Sequence, residues 1–242
     1  MSLALKLALA PLLVAQAVAT RRRAPRLPEA DGPREGRLGE GERLSLLIVG
    51  DSSAAGVGVA TQDEALAGHL VRALAQRSSR RVHWQLVARS GITTAQALAL
   101  LRDVRPAPAE IAIVVLGVND VIEQVPSHRA VQQRAALADW LRHAAGVRHV
   151  VFAPLPPVHR FPLLPQPLRH VMGRDAMRHD AALAGWAATR DDVSHVPIAL
   201  ELGPEHMAED GFHPGEPVYR ATGEALARFI ADRLIHLEET NP

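Results

Sequence analysis

The chain has 242 residues, 48% of them hydrophobic, enough for one core of ordinary size and better suited to one domain than two. Lys and Arg total 27 against 26 Asp and Glu, a formal charge of +1, so no electrostatic case exists for nucleic acid as a partner; aromatics at 3% leave little to stack on bases. There is no Cys, which excludes disulfides, a thiol nucleophile and thiolate metal sites without assigning a compartment.

In chain order, the first element is the uncharged stretch "LALAPLLVAQAVAT" (7–20), followed by three arginines and a Pro/Gly/Glu/Arg-rich stretch to residue 43. The apolar run is short for a membrane span. Arg21, Arg22 and Arg23 stand just after it, where positive charge favours the cytoplasmic side. The expectation is therefore a membrane-associated segment over 1–20, within a membrane-associating region 1–23, a linker over 21–43, and a domain over 44–238 facing the cytoplasm. The alternatives are a cleaved signal peptide, for which Ala17-Val18-Ala19 has the small-residue pattern, or a helix packed on the domain. No proposed chemistry lies before Gly50, so the domain is expected to work without residues 1–36.

From Leu44 the chain alternates. β-branched apolar runs at 44–49, 82–88, 111–117, 149–154 and 193–198 read as strands. Between and after them, stretches such as "EALAGHLVRALAQR" put Leu66, Leu70 and Leu74 on one helical face. The pattern predicts an α/β fold: a flavodoxin-like, doubly wound, five-stranded parallel sheet with helices on both faces. Sites in such sheets form at the carboxyl ends of the strands. The residues there are Gly50-Asp51-Ser52 after the first strand, Ser90-Gly91 after the second and Gly117-Val118-Asn119-Asp120 after the third. A proline-rich segment (154–168) follows the fourth, and "EDGFHPG", with Asp210 and His213, precedes the last helix.

Taken singly these are weak signals: Ser52 reads as a helix cap, Asp51 as a loop brace accepting backbone N–H bonds, Asp210 as a solvated charge. Together they compose a hydrolytic site. A serine needs a base, and imidazole titrates near neutrality. Asp210, three residues before His213, is placed to orient the ring. The Ser52 and Gly91 N–H groups and the Asn119 amide are candidate donors to a developing oxyanion.

These four blocks resemble the SGNH hydrolases, also called GDSL-type esterases and lipases. "GDSSAAG" resembles the first block, with Ser53 where the family usually has Leu, "ARSGITT" the second, "VVLGVND" the third and "DGFHP" the last. The resemblance implies Ser52 as nucleophile at a helix N-terminus, His213 as base, Asp210 as its partner, and Ser52, Gly91 and Asn119 as the oxyanion hole. It implies a small-molecule or lipid acyl ester or thioester as substrate and no metal or cofactor. A carbohydrate O-deacetylase of the same fold is the alternative, and a catalytically inactive membrane-associated scaffold the second. The chain has 12 His, but none with H-E-x-x-H spacing; His128, His143, His170 and His179 read as surface positions on helices, and His206 has no assigned role. "GVGVA" (56–60) lacks the spacing of a nucleotide loop. The 154–168 segment reads as a candidate wall for an acyl pocket.

Overall fold

A computed structural model describes residues 3–199 and 202–235. In chain order the elements are α1 (Leu3–Arg23), β1 (Glu35–Leu38), β2 (Arg43–Gly50), α2 (Leu66–Ser78), β3 (Arg81–Ala88), α3 (Thr94–Val104), β4 (Ile111–Val115), α4 (Val118–Ile122), α5 (Ser127–Ala145), β5 (His149–Phe152), α6 (Leu168–Ala187), β6 (Val193–His195) and α7 (Glu216–Ile230). The end of the expected domain, 236–238, lies outside the described residues.

One sheet runs β1-β3-β2-β4-β5-β6, with the last five strands parallel. Those five and their flanking helices are the doubly wound sheet expected from the alternation. The sixth strand is the difference. β1 pairs antiparallel with β3, Glu35 opposite Gln85, so the stretch read as a linker carries an edge strand. Four residues of Glu, Gly, Arg and Leu, all exposed, give no apolar alternation for a sequence reading to detect. An antiparallel strand needs no crossover helix and can join a parallel sheet directly from the preceding chain.

β2 shows why the central strands are apolar throughout. Leu46 and Ile48 face α2 and α7, while Leu47 and Val49 face the α3, α5 and α6 side. Each such side chain contributes on the order of 1.5–3 kcal/mol by leaving water. α3 starts with a capping box: Thr93 accepts from the Gln96 N–H and the Gln96 side chain accepts from the Thr93 N–H. It thus begins at a fixed point just after Gly91.

α1 is different in kind. Its Gln16 amide donates to the Gln166 carbonyl (2.7 Å) and accepts from the Leu168 N–H (3.1 Å). Leu13 packs against the core, but Leu12, Val14 and Val18 are exposed. Among the described residues no helix is long and apolar enough to cross a membrane.

Candidate active site

Register places the pieces. Gly50, the last residue of β2, lies beside Ala88 of β3 and Val115 of β4. The chain order reverses between β2 and β4, the switch point where ligands bind in doubly wound sheets. The loops after β2, β3 and β4 therefore leave the sheet side by side.

Ser52 sits two residues beyond Gly50, on a run of turns rather than at a helix N-terminus; the next helix starts only at Leu66. Gly56 and Gly58 adopt φ of +80° and +108°, which stops helical propagation after one turn. The helix-dipole contribution expected at Ser52 thus does not apply.

The base and its partner come from a single turn. Gly211, at φ +63°, bends the chain so that Asp210 Oδ1 accepts the N–H groups of Phe212 and His213, both at 2.9 Å. The other oxygen, Oδ2, lies 2.5 Å from His213 Nδ1. His213 Nε2 lies 3.0 Å from Ser52 Oγ. With Nδ1–H donating to the carboxylate, Nε2 is left to accept the serine proton. Burial alone would push the Asp210 carboxyl up, but the bonds from His213 and Phe212 outweigh it and hold the group below the usual carboxylate range. Phe212 stacks edge-on to the His213 ring (5.2 Å) and to Phe161 (5.1 Å), which limits ring rotation.

Asn119 lies on α4, a short helix the sequence did not reveal. Its Nδ2 donates to Asp51 Oδ2 at 3.2 Å, leaving its second N–H uncommitted to Asp51. Asp51 also accepts the Ser53 N–H at 3.0 Å, the loop brace expected of it; its hold on Asn119 was not foreseen. Asp51 is buried, and burial pushes its carboxyl up to about 6 against the opposing pull of the Ser53 N–H, the His213 charge and the Asn119 amide.

Behind Asn119 lies a second buried network. Asp120 accepts from the Thr94 N–H (2.9 Å), the Thr94 hydroxyl (2.6 Å) and Arg134 Nη2 (3.3 Å). Asp120, Thr94 and Arg134 are all fully buried, so this network ties the loop after β4 to the start of α3, just beyond Gly91. Arg134 shares the inner face of α5 with Ala130, Leu137, Ala138 and Leu141. A charge on an apolar stripe was the signal that could have exposed it.

The remaining expected residues lie outside the cavity lining. Gly91 is exposed on the turn between β3 and α3, which leaves the sheet beside the loop that carries Ser52. His179, expected at the surface, is buried on α6 with Nε2 2.9 Å from the Val125 carbonyl oxygen, because that face of α6 packs inward. His206 caps its own turn, its Nδ1 accepting the Gly203 N–H at 3.0 Å. Among the described residues, no group of three His, Cys, Asp or Glu is placed to hold a metal ion.

A cavity of about 780 Å³, counting its open mouth, begins at Ser52, His213 and Asn119. Its walls include Pro154, Pro156 and Phe161 from the proline-rich segment, together with Val115, Ile198, Leu202 and Val218.

Residues 48–221 match the GDSL-like lipase/acylhydrolase family. The chain belongs to that family. This GDSL hydrolase acts on ester bonds. It is 27% identical to the GDSL-like esterase Rv1075c of Mycobacterium tuberculosis over 246 residues, covering 92% of this chain and 77% of that one. Its fold is shared with the lipase Lip_vut3 from a goat rumen metagenome (TM-score 0.64, 17% identity), across 79% of this chain and 99% of that chain. A Clostridium thermocellum family 3 carbohydrate esterase is similar too (TM-score 0.62, 16% identity), across 81% of this chain and 99% of that chain. A lipase and a carbohydrate esterase thus share the fold to the same degree, and the substrate has to be argued from the site.

Proposed function

We propose that the chain hydrolyses carboxylic esters with an apolar acyl group, through an acyl-enzyme on Ser52. The observation that carries this is the hydrogen-bonded chain Asp210–His213–Ser52 opening on a largely apolar cavity. His213 Nε2 takes the Ser52 proton as Oγ attacks the carbonyl carbon, and Asp210 stabilises the imidazolium. The Ser52 and Gly91 N–H groups and the free N–H of Asn119 hold the oxyanion. The intermediate collapses, His213 returns the proton to the departing alcohol, and an acyl-enzyme remains. Water, deprotonated by His213, attacks it; the carboxylic acid leaves and Ser52 regains its proton. Each step uses only groups of this chain and water. Apolar walls favour an acyl chain over a sugar. A p-nitrophenyl ester series from C2 to C16 tests the reading: activity should depend on chain length and vanish in Ser52→Ala. Hydrolysis that survives in Ser52→Ala would overturn it.

We propose also that residues 1–23 rest on a membrane surface, with the hydrolase domain on the cytoplasmic side. Support comes from exposed Leu12, Val14 and Val18 on a helix whose last turn is Arg21–Arg23. Cell fractionation with and without residues 1–23 decides it: a full-length chain found wholly in the soluble fraction would refute the surface association. Protease protection of the domain in spheroplasts tests its side.

A further inference from the structure

The stretch between α1 and β1 precedes the family-matched span 48–221 and, although read from the sequence as linker, is bonded to the domain. Glu29 Oε1 accepts two bonds from a single residue, the Ser90 N–H at 2.7 Å and the Ser90 hydroxyl at 2.8 Å. Its other oxygen pairs with Arg34 Nη2. Arg34 Nη1 in turn donates to the Ala88 carbonyl at 2.7 Å. Glu29 and Arg34 together therefore grip Ala88 and Ser90, and the next residue is Gly91. Partial burial pushes the Glu29 carboxyl up, but the bonds from Ser90 and Arg34 more than offset it, so the group stays below the usual carboxylate range.

The same strap holds the nucleophile's loop. The Ala30 N–H donates to the Ala55 carbonyl (3.1 Å), and the Asp31 N–H to that of Ala60 (2.9 Å). Buried Gln62 spans the joint, its side-chain amide donating to the carbonyls of both Ala30 (3.1 Å) and Ala55 (3.0 Å). Residues 29–34 thus bridge the turns that carry Ser52 and the turn that carries Gly91. On that turn's other side the Thr93 capping box fixes the start of α3, so Gly91, exposed at φ +79° with open space where a Cβ would lie, stands between two anchored points. An oxyanion donor is effective only when aimed before the reaction begins.

We propose that Glu29 is a positioning residue for ester hydrolysis, clamping Ser90 so that the Gly91 N–H is held at a fixed place relative to Ser52. This rests on the assignment of Ser52 and Gly91 given above. The test uses the full chain, with p-nitrophenyl acetate kinetics and a thermal melt for wild type, Glu29→Ala, Glu29→Gln and Ser90→Ala. Glu29→Ala should lose about tenfold in kcat with KM within about twofold, because the oxyanion exists only in the transition state. Glu29→Gln keeps one acceptor oxygen and should recover part of that loss; Ser90→Ala keeps the backbone bond and should lose about two- to threefold. The rate of Ser52 modification by an alkyl p-nitrophenyl phosphonate, whose tetrahedral oxygen needs the same donors, should fall in parallel. A kcat for Glu29→Ala within twofold of wild type, or one that falls only as the folded fraction falls, overturns the proposal. If Glu29→Ala does not fold, an unchanged kcat in both Glu29→Gln and Ser90→Ala overturns it equally. Wild type without esterase activity would remove the serine-esterase reading and this inference together; active wild type with unaffected variants removes this inference alone.

Discussion

The two sides of Ser52 are built on different principles. On the base side, Asp210 and His213 lie three residues apart, and one turn orients both. On the proposed oxyanion side, Gly91 lies on the turn after β3 and Asn119 on α4, which follows β4. Polar groups behind them hold them in place: Asp51 on Asn119, Asp120 with Thr94 and Arg134 beyond it, and the Glu29–Arg34 strap on Ser90. A short-range motif is either present or absent. A long-range one is adjustable, because each brace sets the aim of a donor without taking part in the chemistry. Damage on the base side should therefore abolish turnover, and damage on the oxyanion side should grade it.

The largest effects test the base side as a unit. Ser52→Ala and His213→Ala should each lower kcat on the order of 10³-fold or more, and the double variant should be no worse than either alone. Additive losses would mean that the two do not act in one step. Ser53→Ala should keep most activity. Next comes the donor itself: Asn119→Ala should cost about 10²–10³ in kcat with a smaller change in KM. A large KM rise at constant kcat would move Asn119 to substrate binding and dissolve the contrast.

The braces follow. Arg134→Met leaves buried Asp120 without its cation, a change that costs on the order of 3–5 kcal/mol and should appear as a marked drop in Tm. A melt within a degree or two of wild type would show that the Thr94 bonds suffice.

The two buried carboxylates should answer acid oppositely. Asp51 is raised to about 6 from an ordinary 3.8, so the folded state binds its proton first as pH falls. Ionised Asp51 therefore costs stability above about 6, and that cost, on the order of 2–3 kcal/mol, fades as pH drops towards 4. Asp51→Asn should raise Tm at pH 7.5, with a gain that shrinks towards pH 4.5; a gain independent of pH would contradict this origin. Asp210 is lowered, so its contribution is present above the ordinary carboxylate pKa and is lost as pH falls through its folded value. The smallest effect is expected at His206, whose side chain caps its own turn and lies outside the cavity lining: His206→Ala should leave kcat within about twofold.

The sequence by itself determined what short-range chemistry and periodicity encode. Apolar runs separated by helical repeats specified the parallel core, because strands covered on both faces must be apolar throughout, as Leu46 to Val49 are. The four blocks pointed to strand ends that converge on one edge of such a sheet, and Ser52, Asn119, Asp210 and His213 do meet there, while Gly91 lies outside the cavity lining. Only the tertiary structure decided the rest. β1 has no apolar face, and its bonds are to a strand some fifty residues away, so nothing in its own residues marks it as a strand. Glu29 looks like any linker acid until Ser90, 61 residues later, arrives beside it. Asp51 reads as a turn former until burial and the Asn119 amide give it a second task. A polar side chain's role depends on which partner reaches it and how much water remains, and the folded chain sets both.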